Sequence, residues 1–154
     1  KEVLNLSDGV YSSNSIAAMG IAAHEAGHAM QKLENYAPLN LRSAIVPAVN
    51  ISSSLSTPMF ILGLIFAWQP LVYIGIGFFA ASTVFALVTL PVEFDASKRA
   101  IQMLSEGGYI SGAEEERNVR KVLSAAALTY VAAAVTSLLS LLRLILIAKR
   151  NDRN

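Results

Sequence analysis

The stretch SAIVPAVNISSSLSTPMFILGLIFAWQPLVYIGIGFFAASTVFALVTLPV, residues 43–92, decides the fold class. Its 50 consecutive positions carry no Asp, Glu, Lys or Arg. A bilayer crossing needs about 20 apolar residues, so the run is long enough for two spans and a short turn. Gln69-Pro70 lies near the middle and supplies a break, with Trp68 and Tyr73 placed as interfacial anchors. The expected spans are 44–67 and 71–90. The early half of the first is polar, with Asn50, Ser52, Ser53, Ser54, Ser56 and Thr57, and these side chains are expected to face other helices rather than lipid. Pro58 marks a potential kink.

A third span follows over 122–147, interrupted only by Arg143, which can snorkel toward the interface. Ser111-Gly-Ala-Glu114 fits a capping box, so this helix is expected to begin well before the apolar run. The remaining acidic cluster, Glu114-Glu115-Glu116, falls in that first turn and suits the helix dipole. Across the chain 54% of residues are hydrophobic and only 15% are charged. Core helices of a soluble protein are the alternative, but a chain of 154 residues with so long an uncharged run would lack a solvent face. The sequence therefore predicts an all-α polytopic membrane protein, with residues 1–154 forming a single domain. A net charge of +1 without a basic block argues against a nucleic-acid partner. There is no cysteine, so neither disulfides nor thiolate ligands are available, and any metal must be held by His and carboxylates.

Ahead of the long run, residues 16–31 read IAAMGIAAHEAGHAMQ, a helix of small and apolar residues containing H-E-x-x-H. Residues four apart share a helical face, so His24 and His28 can reach one ion. Glu25 is turned by about 100° from His24, which places it beside the ion rather than on it, where it can act as general base toward the attacking water. A histidine on an apolar helix is more often a hydrogen-bonded core residue. Here both histidines of the chain fall at ligand spacing with Glu between them, which favours a metal site.

Catalytic zinc generally takes three protein ligands and keeps one open position. The third must be Asp or Glu, and PVEFDASKR, residues 91–99, is the best-placed source. It ends the uncharged run, on the side shared with the histidines if two spans intervene. Pro91 is suited to opening a new helical segment there. Glu93 and Asp95 are two apart and point differently, so they are not expected to ligate one ion equally. Alternatively both simply start a helix and pair with Lys98 or Arg99.

In order along the chain, the HEAGH helix led in by Ser15-Ile-Ala-Ala, the segment Tyr36–Ser43, the segment Leu90–Arg99 and the run Ala125–Ala134 resemble the YugP-like neutral zinc metallopeptidases of bacterial membranes. The arrangement is also similar to HtpX-type and CAAX-prenyl proteases, in which HExxH is followed by a Glu-bearing helix after membrane segments. The resemblance implies that Glu93 is the third zinc ligand and that Asp95 stands behind the ligands and orients an imidazole. One position departs from the common pattern: residue 26 is Ala where many zincins carry a bulky apolar side chain.

The expected activity is zinc-dependent hydrolysis of peptide bonds in protein substrates, themselves membrane-associated, at the face of a bacterial cell membrane. A non-catalytic metal-bound membrane scaffold would need the histidines but not Glu25. A site-2-type intramembrane protease would be expected to carry an Asn-Pro-Asp-Gly stretch, which does not occur. With no further histidine, a tyrosine such as Tyr130 would have to assist the oxyanion. Lys1, Lys32, Arg42, Lys98, Arg99, Arg117, Arg120 and Lys121 would lie on the active-site side, against Lys149, Arg150 and Arg153 on the other. This excess predicts a cytoplasm-facing site.

Overall fold

In the computed structural model, which describes residues 3–152, the Ser15 hydroxyl accepts a 3.1 Å hydrogen bond from the Ala18 N–H and so caps the helix that carries HEAGH. The elements in order are α1 (Asp8–Tyr11), α2 (Ile16–Leu33), α3 (Ala37–Ile65), α4 (Gln69–Glu106) and α5 (Ala113–Asp152). No strand occurs among the described residues. Lys1 and Arg153, counted in the charge balance above, lie outside them. The helices α3, α4 and α5 are each long and apolar enough to cross a membrane. Their outward faces carry Ile51, Leu55, Ile61, Val84, Leu138 and Leu139, all well exposed, which suits contact with lipid tails rather than water.

Three helices end alike. Asn35, Ala67 and Gly108 adopt left-handed φ values of 53°, 49° and 68°. The next residue in each case donates back to the helix: Tyr36 to the Gln31 carbonyl at 2.9 Å, Trp68 to Gly63 at 2.9 Å and Tyr109 to Leu104 at 3.0 Å. This is the Schellman arrangement, which satisfies carbonyls left open at a helix end. It also moves the expected break in the uncharged run. The turn is made by residues 66–68, and Gln69-Pro70 opens α4, where a proline in the first turn sacrifices no helical donor.

Two further boundaries differ from the sequence reading. Pro91 starts no new segment; α4 passes through it, and Val92, Ala96 and Ala100 beyond it are fully buried at helical spacing. That packing outweighs one lost backbone hydrogen bond. At the start of α5 the acidic side chain that reaches back is Glu115, accepting from the Ser111 N–H at 2.7 Å, because the helix begins at Ala113 and Glu115 is its third residue.

The chain divides into two compact units. The first lies within Lys1–Asn40 and Leu90–Tyr130. Its core joins Ala23 of α2, Ala100 and Leu104 of α4, Ile110, and Val119 and Leu123 of α5, with Ile16, Met19 and Ile101 packed against it. The second lies within Leu41–Thr89 and Val131–Asn154. There Phe60, Val72 and Ala148 form the core. Gly63 faces the Val72 backbone and Gly75 the Phe60 backbone, at distances that leave no room for a Cβ. Such small-residue contacts let helices pack where lipid offers no hydrophobic drive. The polar side chains of α3 behave in three ways. Ser56 is buried and donates to the Gly75 carbonyl at 2.9 Å, and Ser53 meets Ser82 at 2.6 Å, both across helices as expected. Ser52 and Ser54 instead bond carbonyls one turn back on α3 itself, which satisfies a hydroxyl without a neighbour. Asn50 and Thr57 are exposed.

Candidate metal centre

The first unit brings His24 and His28 of α2 against Glu93 of α4. Glu93 Oε2 lies 3.0 Å from His24 Nε2 and 3.4 Å from His28 Nε2. The two imidazoles stand edge to face, with centroids 4.7 Å apart. One ligand atom from each residue falls within 4.8 Å of the others, a spacing at which a single ion could be shared. Glu93 is only 3% exposed, an unusual place for a carboxylate unless cations or donors converge on it.

Each ring has its other nitrogen engaged. His24 Nδ1 is 3.0 Å from Ser97 Oγ, and His28 Nδ1 is 2.9 Å from Gln31 Oε1. Both Nε2 atoms are thereby turned toward Glu93, which is how zinc-ligating imidazoles are commonly oriented from behind. Two imidazole nitrogens and one carboxylate oxygen make a donor set suited to zinc with an open fourth position. The residues present therefore fit the metal.

Electrostatics follow the contacts. Glu93 lies past the end of the uncharged run; burial pushes its carboxyl pKa upward, but hydrogen bonds from His24 and His28 prevail and bring it from 4.5 to about 2. His28 is raised above 6.5, chiefly by its hydrogen bond to Glu93, against the opposing effect of burial, with Gln31 and the nearby charges of Glu93 and Glu25 adding to the rise. Glu25 itself is exposed on α2. Its carboxylate is therefore open to solvent while close enough for its charge to act on His28.

Asp95 stands behind His28, with the Gln31 amide between them. Among the described residues it makes no hydrogen bond to an imidazole; Gln31 Nε2 donates to Asp95 Oδ2 at 2.9 Å, and Gln31 in turn meets His28. Burial pushes the Asp95 carboxyl up, but the bonds from Gln31 and Arg99 hold it below its ordinary value. Arg99 Nε pairs with Asp95 at 2.6 Å, and the same guanidinium pairs with Glu34 and lies over the Tyr36 ring. The pairing of an acidic residue with Arg99 thus holds for Asp95, while Glu93 is turned to the histidines.

Gln31 and Ser97 escaped the sequence reading. The available signal was helical spacing: Gln31 is three residues after His28, and Ser97 four after Glu93, so each shares a face with a ligand candidate. On the opposite face of α2, Ala26 lines an apolar cavity of about 290 Å³ with Met19, Ala22, Met103 and Tyr109. Tyr130 lies on α5 and is 38% exposed.

The sequence profile of the family described as "Putative neutral zinc metallopeptidase" matches residues 1–149. A relative from Bacillus subtilis (strain 168), described as "Putative membrane protease YugP", is 48% identical over 147 residues. That alignment covers 96% of this chain, which spans 65% of the relative's length. No solved structure matches. The match over nearly every residue places this chain in the family described as "Putative neutral zinc metallopeptidase".

Proposed function

We propose that the chain is a zinc-dependent membrane endopeptidase that cleaves membrane-associated protein substrates at the membrane face. The observation that carries this reading is the convergence of His24 Nε2, His28 Nε2 and a buried Glu93 carboxylate, with both Nδ1 atoms held from behind. His24, His28 and Glu93 are the ligands in this reading. When bound there, zinc supplies Lewis-acid activation of water and of a scissile carbonyl. Glu25, exposed and next to the first ligand, accepts a proton from the attacking water and returns it to the leaving amine. The three long apolar helices hold the domain in a bacterial cell membrane.

The direct test is metal analysis of the detergent-solubilised protein. The reading expects about one zinc per chain in the wild type and its loss in His24→Ala and His28→Ala. Zinc retained at full stoichiometry by both variants would refute the site.

A further inference from the structure

We propose that the outward side of α5, near its C-terminal end, is a docking site for one anionic phospholipid. Arg143 and Arg150 take its headgroup phosphate, and Leu139, Leu142 and Leu146 take an acyl chain. The inference rests on the membrane part of the reading above and is independent of its zinc chemistry.

These residues line one open groove of about 340 Å³ on the second unit. Positions one and two turns apart share a helical face, so 139, 143, 146 and 150 form a single stripe. That stripe points away from the protein. Leu144 and Ala148, on the other side of α5, pack with Phe60 and Val72, whereas Leu139, Leu142 and Leu146 are 62%, 52% and 58% exposed.

A charged side chain within a span ordinarily turns inward or pairs, because lipid tails cannot solvate it. Arg143 does neither. It is exposed, and five uncharged residues, 144–148, separate it from Lys149. Among the described residues no carboxylate meets the guanidinium of Arg143 or of Arg150. Few are within reach: the stretches 41–89 and 131–154, which hold the second unit, contain Arg42, Arg143, Lys149, Arg150 and Arg153 but a single acidic residue, Asp152. Asp152 is two positions from Arg150 and so projects from a different side of α5.

The direction of the side chains narrows the partner further. Helical side chains lean toward the N-terminus of their own helix, so snorkelling past the end of α5 would turn Arg143 against its lean. Arg150 leans toward Arg143, over the turns between them. Two guanidinium forks thus serve one groove whose remaining walls are leucine and isoleucine. Such forks match the oxygens of a phosphate, and the apolar wall matches a hydrocarbon chain. A free phosphate ion would leave the leucines uncovered; a lipid satisfies both halves of the groove.

The test is titration of the full chain in detergent with fluorescent phosphatidylglycerol and phosphatidylcholine of equal acyl length. The wild type should hold the anionic lipid about 10–30-fold more tightly. Arg143→Gln should remove most of that preference, and Arg150→Gln should act alike, carrying the test if Arg143→Gln does not fold. Lys149→Gln removes the same charge from outside the groove and should keep the preference. Equal losses in the Lys149 and arginine variants would reduce the effect to diffuse surface charge and overturn the site. Displacement of the lipid by equimolar inorganic phosphate would overturn it too, as a site for soluble anions. Equal affinity for both lipids, in protein that needs detergent to stay dispersed, refutes the lipid site alone. Protein that stays dispersed without detergent refutes the membrane reading with it.

Discussion

Gly27 of α2 meets the Ala96 backbone of α4 so closely that a Cβ on Gly27 would lie 2.5 Å from the Ala96 carbonyl oxygen. Gly27 precedes a candidate ligand, His28, and Ala96 follows another, Glu93, by three residues. The absent side chain thus sets the helix separation across which the imidazoles reach the carboxylate. Gly27→Ala should push the helices apart, costing about 1–3 kcal/mol of stability as an overpacked contact. It should also weaken zinc binding, measured by chelator competition. Ala26→Val, next in sequence but directed into the apolar cavity, should leave zinc affinity unchanged. Equal zinc affinity in Gly27→Ala and wild type would show that the close approach is not what positions the site.

The two carboxylates of α4 should separate in their effect on the metal. Glu93→Ala removes the group that faces both Nε2 atoms, whereas Asp95→Ala removes a partner of Gln31. Zinc titration should show the larger loss for Glu93→Ala and a smaller one, about 10–100-fold, for Asp95→Ala. The reverse ranking would transfer the ligand role to Asp95.

The distribution of Lys and Arg predicts a cytoplasm-facing active site and a C-terminus across the membrane. Alkaline phosphatase fused after the last residue should then be active, and fused within the loop 107–112 it should be inactive. The opposite pattern would place the candidate site on the outer side.

Much of this was legible in the sequence because it depended on spacing and charge. The uncharged run foretold long apolar helices, and the five-residue HEAGH pattern foretold two imidazoles on one face. What stayed hidden depended on backbone geometry and on contacts between distant segments. Ala67 takes a left-handed turn more often given to glycine, so nothing in its identity marks the end of α3. Pro91 looks like a helix start in isolation, but buried neighbours on α4 carry the helix through it. Gln31 carries no local sign of function, because its partners, Val92 and Asp95, lie more than 60 residues away. That Asp95 meets Gln31, which in turn meets His28, cannot be read from spacing either.

In the proposed site zinc is held by His24 and His28 of α2 with Glu93 of α4, while the proton is handled by Glu25, and Glu25→Gln separates the two roles. This variant is expected to keep about one zinc per chain while cleavage of casein or a membrane peptide falls by several orders of magnitude, because the base is lost and the ligands remain. Cleavage at the wild-type rate by the zinc-loaded variant would contradict it.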